Sequence, residues 1–221
     1  MPTNFVVGHP LIHLAYAYEV SSRTVAIESL AMTACCYNFL HKYFDNPSYT
    51  QPSSYASNSP LEILEKVRQD SRFDGLFQDQ AGSIEELLSS HESAVLEHWN
   101  AWNISDPRAQ FEASQRAAVA LLVGSEQKDG KYDFFLVHLL TTSHAVRVVL
   151  PLIPAKFQIP LVRQWWLFTL VVYITQLRPV VSVDKIDDVD LKGREWKFVV
   201  DQALKSNQSM DPHYVKGKKF L

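Results

Sequence analysis

YDFFLVHLLTTSHAVRVVL, at residues 132–150, is the stretch that decides the fold class. Its apolar side chains recur over about five helical turns, and Pro151 follows at once, where a helix is expected to end. A second stretch, LVRQWWLFTLVVYITQL at residues 161–177, is apolar on almost all sides, which is typical of a helix buried in a protein core. Its uncharged part is shorter than the roughly 20 residues that cross a bilayer, so we expect no membrane span.

The rest of the chain predicts further helices. Their start signals are His9-Pro10, Ser59-Pro60, Ser83-Ile84, Asp106-Pro107 and Asp211-Pro212. The helix that starts at Asp106 is expected to end at Gly124. Residues 45–59 are polar and form a predicted internal loop, while residues 180–183 are a short β-branched piece with no second strand near them in the sequence. We therefore predict one all-α domain over residues 1–221, an irregular bundle of about seven to nine helices.

Composition excludes several classes of protein. The chain has 221 residues and a formal net charge of −3, so it lacks the basic field that holds a nucleic acid. Cys35 and Cys36 are its two cysteines, and a disulfide between neighbours would be strained, so we expect two small buried apolar side chains and no disulfide framework. The first residues lack the basic-then-apolar order of a signal peptide. These features predict a cytoplasmic protein.

Several enzyme signatures are missing from the sequence. It contains no G-x-G-x-x-G turn after a strand, no phosphate-binding Walker loop, no G-x-S-x-G elbow and no H-E-x-x-H helix. We therefore do not expect a Rossmann-bound nicotinamide or flavin.

Histidine is the residue type left to carry chemistry. Imidazole is a common ligand of iron, zinc, copper and nickel. His9 and His13 are four residues apart and can share a helix face, although Pro10 favours His9 as a cap. His138 lies among apolar residues. Spacing alone leaves two interpretations for these three histidines: metal ligands, or a cap and core imidazoles bonded to carbonyl groups.

The other histidines are less informative. His91 and His98 share one predicted stripe and are either core residues or ligands, and His41 is expected at the surface. His213 and Lys216 lie three residues apart after Asp211-Pro212, on one face of a short predicted helix. A lysine with a pKa near 10.4 repels a metal ion, and it becomes a ligand only when neutral or carboxylated.

Three segments resemble a known family. GHPLIHLAYA at residues 8–17, YDFFLVHLLTTS at 132–143 and DPHYVK at 211–216 are similar, in the same order, to segments of the questin oxidase-like family, which includes fungal enzymes of anthraquinone and aflatoxin-type polyketide pathways. The resemblance implies an all-α oxidoreductase. It also implies that the chain corresponds to the C-terminal part of the family's full length, without an N-terminal part that carries a further histidine segment.

The resemblance also implies cofactors and ligands. Family members have been described as NADPH-dependent Baeyer–Villiger-type oxidases, and at least one as a non-heme iron dioxygenase that holds iron with histidines and a carboxylated lysine. Matched position by position, the implied metal ligands are His9, His138, His213 and Lys216. His13 and Tyr16 follow His9 on the same helix and are the expected catalytic residues that orient ligands or substrate.

Three hypotheses remain open. In the first, Fe(II) activates O₂ beside a polycyclic aromatic polyketide such as an anthraquinone; in the second, NADP(H) serves a metal-free Baeyer–Villiger-type oxidase; in the third, a truncated chain is a non-catalytic helical scaffold. The expected flat walls of a substrate site are the rings of Trp99, Trp102, Trp165, Trp166 and Phe135. The sequence gives no oligomeric state.

Overall fold

The computed structural model describes residues 8–80, 82–125, 132–188, 190–211 and 214–215. Its helices are α1 (His9–Glu19), α2 (Arg23–Cys35), α3 (Lys42–Asp45), α4 (Pro60–Gln69), α5 (Ile84–Asn100), α6 (Pro107–Val123), α7 (Phe134–Val149), α8 (Ala155–Thr175), α9 (Asp184–Asp187) and α10 (Trp196–Lys205). In these ranges there is no strand; the β pairing consists of two isolated bridges, Ser57 with Trp102 and Ser125 with Val181. The prediction of a single all-α domain is confirmed.

Local signals place most helix starts where the sequence predicts them. Ser59, Ser83 and Asp106 each accept a backbone N–H at the first turn of α4, α5 and α6. Asp133 caps α7 in the same way, accepting from the amides of residues 135 and 136 at 2.8 and 3.0 Å. Gly124 follows the last residue of α6 as predicted.

The predicted start of α8 was wrong. The helix begins at Ala155 and contains Pro160, whereas the sequence suggested a start after this proline. Pro160 lies near the N-terminal end, so its missing N–H removes one hydrogen bond close to a terminus where several groups lack helical partners already. The helix ends at Thr175, and Leu177 and Arg178 then adopt left-handed φ values of 65° and 50°.

Helices α7 and α8 form the centre of the core. Residues Phe134–Leu152, which are α7 and the 3₁₀ turn after it, and Ala155–Thr175 are long and apolar enough to cross a membrane, but 72% and 67% of their apolar windows are buried inside the protein. Helices α5 and α6 pack against them. This burial fits the core helices of a soluble protein.

Helix α1 forms a second, smaller contact with α7. Ile12 and Ala15 of α1 pack against Ala145 and Val149 of α7 in a separate apolar cluster. Helix α2 covers another side of α1, where the Ser29 hydroxyl donates to the carbonyl of residue 10 at 2.7 Å. These contacts fix the start of α1 beside α7.

Three smaller expectations differ from the structure or need refining. Cys35 is exposed and Cys36 half-buried, because the end of α2 is covered on one side only, so the prediction of buried cysteines was wrong. Within 180–183, Val181 pairs with Ser125, a partner distant in sequence. Residues 45–59 include a 3₁₀ turn at Pro47–Tyr49.

Candidate active site

His9 and His138 meet where α1 begins beside α7. Their ring centroids are 5.1 Å apart and the rings meet edge to face at 69°. His9 is itself the first residue of α1, with Gly8 before it and Pro10 at the second helical position, so the prediction that His9 acts as a cap was wrong. Proline is tolerated there because the first amides of a helix lack intrahelical partners in any case.

His138 is held in one orientation by its own helix. Its ring is 3% exposed, and Nδ1 lies 2.8 Å from the carbonyl oxygen of Phe134, one turn earlier. A carbonyl only accepts, so Nδ1 carries the proton and donates. In the neutral ring the lone pair is therefore on Nε2, the atom that can bind a metal ion.

A close contact between Gly8 and Thr142 sets the approach of α1 to α7. A Cβ atom on Gly8 would lie 2.9 Å from Thr142 Cγ2, which is closer than carbon atoms pack. The Thr142 hydroxyl donates to the carbonyl of His138 at 2.7 Å, which fixes its methyl group. Only glycine fits at residue 8 without displacing α1 and the histidine that follows.

His13 and Tyr16 lie further along α1. The ring centroid of His13 is 6.5 Å from that of His9, and its Nδ1 is 3.5 Å from a carboxylate oxygen of Glu28 on α2. Burial, and then the charge of Glu19, raises the pKa of Tyr16 to about 12. The phenol therefore keeps its proton at neutral pH and can serve as a hydrogen-bond donor.

Glu19 also binds His144 on α7. His144 Nε2 lies 3.0 Å from the carboxylate of Glu19, and Arg147 donates to Nδ1 at 3.1 Å. Nδ1 is thus an acceptor and Nε2 a donor, which makes His144 a neutral link between α7 and α1. This link further fixes α1.

The other two expected metal ligands, His213 and Lys216, lie outside the described residues. Within the ranges that the structure covers, no group of three or more histidine, cysteine, aspartate or glutamate side chains is arranged to hold a metal ion. Of the four expected ligands, the structure therefore describes two, His9 and His138. That they bind a metal ion stays a prediction.

A cavity of about 220 Å³ adjoins the histidine pair. It lies between α1, α2, α7, α8 and the segment before α3. Its lining residues are Gly8, Pro10, Leu11, Leu14, Ser29, Thr33, Cys36, Asn38, Leu40, His41, Phe44, Thr142, Gln164, Trp165, Leu167 and Phe168. The wall formed by Gly8 and Thr142 is shared with the site, because these residues hold the backbones of His9 and His138.

A comparison with family models matches the chain from residue 5 to residue 220, nearly its whole length, to the model described as Questin oxidase-like. The chain belongs to the questin oxidase-like family. No curated protein matches it. Membership of the questin oxidase-like family supports an oxidoreductase, of the oxidase type, that acts on a polyketide small molecule.

The aromatic residues expected to line a substrate site lie mostly elsewhere in this questin oxidase-like chain. Trp99, Trp102 and Trp166 are at most 2% exposed and pack in the main core. Trp165 does line the cavity. Sequence reasoning missed Phe44 of α3 and Phe168 of α8 as cavity walls, since these residues are distant in sequence and only the fold places them around one cavity. His41, expected at the surface, also lines the cavity.

His98 belongs to a separate buried network. Its Nε2 lies 2.8 Å from Asp70 Oδ2, and the Tyr55 hydroxyl lies 2.5 Å from its Nδ1. Burial raises the pKa of Asp70, but hydrogen bonds from Arg72 and His98 outweigh it and hold this pKa well below its usual range. Burial lowers the pKa of His98, against the effect of Asp70. The neutral ring therefore donates to Asp70 and accepts from Tyr55.

His91 takes no part in that network. It sits at a kink inside α5, with φ of −131°, and its Nδ1 lies 2.8 Å from the neighbouring Ser90 hydroxyl. Its ring packs near Phe73. We interpret His91 and His98 as structural residues.

Proposed function

We propose that this questin oxidase-like chain is an oxygenase of aromatic polyketides whose metal ion is held in part by His9 and His138. The observation that carries the proposal is the meeting of these two rings, which α1 and α7 bring together, with His138 oriented by a backbone carbonyl. Metal-binding histidines usually donate their second ring N–H to a carbonyl or carboxylate in this way.

The distance between the rings fits a shared ion. Two imidazoles that each bind one ion at about 2.1 Å, with each ring centre about 1.1 Å beyond the nitrogen, have centroids about 4.5–5.2 Å apart for angles of about 90–109° at the metal. The 5.1 Å between His9 and His138 lies in this interval. Packed aromatic rings also occur at such distances, so the separation supports the proposal together with the tautomer of His138.

The remaining ligands would come from the end of the chain. His213 would add an imidazole, and carboxylated Lys216 an anionic oxygen donor, as the resemblance implies. Non-heme iron, when bound, supplies the capacity to bind and activate O₂. Tyr16, which keeps its proton at neutral pH, would donate a hydrogen bond to substrate, and His13 would orient ligands from the next turn of α1.

An assay of oxygen consumption tests this proposal. The chain is reconstituted with Fe(II) and bicarbonate without oxygen, then mixed with a hydroxylated anthraquinone in aerated buffer. We expect oxygen uptake that a chelator abolishes, that needs no NADPH, and that His138→Ala removes while His91→Ala retains it.

The other outcomes decide between the remaining hypotheses. Turnover that resists the chelator and requires NADPH would replace the iron proposal with the metal-free Baeyer–Villiger-type oxidase. No turnover and no retained iron under any condition would favour the non-catalytic scaffold. The cytoplasmic location stays a prediction, which the burial of α7 and α8 supports only as far as a soluble protein.

A further inference from the structure

We propose that the cavity beside the histidine pair binds a neutral, flat aromatic molecule with an oxygen at one end, and that this oxygen lies at the cavity mouth against Asn38 and Gln164. The other end of the ligand points towards the wall formed by Gly8 and Thr142, next to His9 and His138. Only this direction rests on the proposed function. Binding itself requires no metal.

The cavity has a buried end and an open end. Trp165 and Phe168 are 2% and 6% exposed and form the inner wall together with the Gly8–Thr142 contact. Gln164 is exposed, and Asn38 is half-buried on the segment between α2 and α3. A ligand that enters therefore meets amide groups first and aromatic rings further in.

The hydroxyl groups of the inner wall are already committed as donors. Ser29 donates to the carbonyl of residue 10 at 2.7 Å, and Thr142 donates to that of His138. Thr33, at the exposed rim of the cavity, likewise donates to the carbonyl of residue 29 at 2.9 Å. A polar ligand group placed against the inner wall would lose its hydrogen bonds to water without gaining a donor. The inner end therefore favours an unsubstituted apolar ring.

The amides at the mouth retain hydrogen-bonding capacity. Asn38 uses Oδ1 to accept from the amide of residue 40 at 3.0 Å, which leaves its NH₂ group. In the part of the chain that the structure describes, neither this NH₂ group nor the Gln164 amide has a hydrogen-bond partner. Amides that line one cavity can donate to a phenol or carbonyl oxygen of a ligand.

The lining also predicts the charge of the ligand. Among the lining residues that the structure describes there is no aspartate, glutamate, lysine or arginine, and the titratable ones are Cys36 and His41. The His41 ring stacks on Tyr37 with centroids 3.8 Å apart, at the same end as Asn38. A ligand with a full charge would lose hydration without meeting a fixed counter-charge, so the site favours a neutral molecule.

Titration calorimetry with 2-naphthol on the full chain, without added metal, tests the proposal. We expect saturable binding, with 2-naphthol about three- to tenfold tighter than naphthalene because of one net hydrogen bond, and no measurable binding of 2-naphthoate. Gln164→Leu should remove the preference for 2-naphthol over naphthalene. Asn38→Asp keeps the acceptor for residue 40 but replaces the NH₂ donor with a carboxylate. It should therefore weaken the binding of 2-methoxynaphthalene, whose oxygen can only accept a hydrogen bond.

A matched pair of variants locates the site. Thr33→Trp places an indole over the α2 rim of the cavity and should weaken the binding of 2-naphthol at least tenfold. Ala34→Trp, at the next position, which is also exposed but does not line the cavity, should leave binding unchanged. Thermal melting checks that each variant folds. No binding of 2-naphthol, equal effects of the two tryptophans, or a preference that survives Gln164→Leu would overturn the proposal. If binding behaves as expected while the chain retains no iron, the proposed function fails and the ligand site stands.

Discussion

The buried contact between Tyr55 and His98 gives a sharp prediction about stability. Tyr55→Phe removes a single hydroxyl group, which donates to His98 Nδ1 at 2.5 Å. His98 is 4% exposed and is held on its other side by Asp70, so the ring cannot turn to find water. The change therefore leaves a buried acceptor without a hydrogen bond.

The magnitude follows from this lost partner. A buried polar group left without a hydrogen bond costs about 1–3 kcal/mol. We expect Tyr55→Phe to lower the free energy of unfolding by about 2 kcal/mol, which corresponds to a fall in melting temperature of about 4–8 °C for a chain of this size. Thermal melting followed by circular dichroism, together with urea titration, measures both quantities.

Tyr37→Phe is the matched control. Its hydroxyl also makes one side-chain hydrogen bond, to Asp45, but Tyr37 is 62% exposed, so water replaces the lost partner. The melting temperature of this variant should equal that of the parent chain. Equal melting temperatures for Tyr55→Phe and the parent, or an equal fall for both variants, would refute the assignment of a neutral, accepting His98.

Two further predictions concern the packing of α1 and the response to acid. Gly8→Ala should lower the free energy of unfolding by about 1–3 kcal/mol, because its Cβ would meet Thr142 Cγ2 at 2.9 Å. Adding Thr142→Ser removes that methyl group and should restore most of the lost stability. A double variant no more stable than Gly8→Ala would contradict the contact. Acid should destabilise the protein in two ranges, because His98 and Asp70 both have pKa values below their usual ones in the fold. The contribution of His98 is complete above about pH 6.5 and that of Asp70 above about pH 4, and each is lost as the pH falls below that value. Urea midpoints measured from pH 8 to pH 3 should stay level above about pH 6.5 and fall below it. Asp70→Asn should flatten the fall below about pH 4. A midpoint that rises on acidification would be the opposite result.

The sequence predicts the fold well where the signals are local. The caps at Ser59, Ser83 and Asp106 and the stop at Gly124 depend on residues within one turn, and they form as expected. The start of α8 was missed because the rule for proline describes a helix interior, and Pro160 lies close enough to the helix end to be tolerated.

The site was less predictable because it depends on distant contacts. The partners of His98 lie 28 and 43 residues away, and no spacing rule links them. The cavity is lined by residues of α1, α2, α3, α7 and α8 that are distant in sequence, so no local pattern predicts it. The pairing of His9 with His138 came from the resemblance of two segments to a family, since spacing alone left each of them a core residue or a ligand.

Metal analysis of the reconstituted chain is the most direct test of the account. The chain is loaded with Fe(II) in the presence of bicarbonate without oxygen, desalted, and measured for iron and protein. We expect about one iron per chain in the parent and in His91→Ala, and a large loss of iron in both His9→Ala and His138→Ala. Iron retained in full by the two site variants, or absent from a folded parent chain, would contradict the central claim that His9 and His138 hold one metal ion.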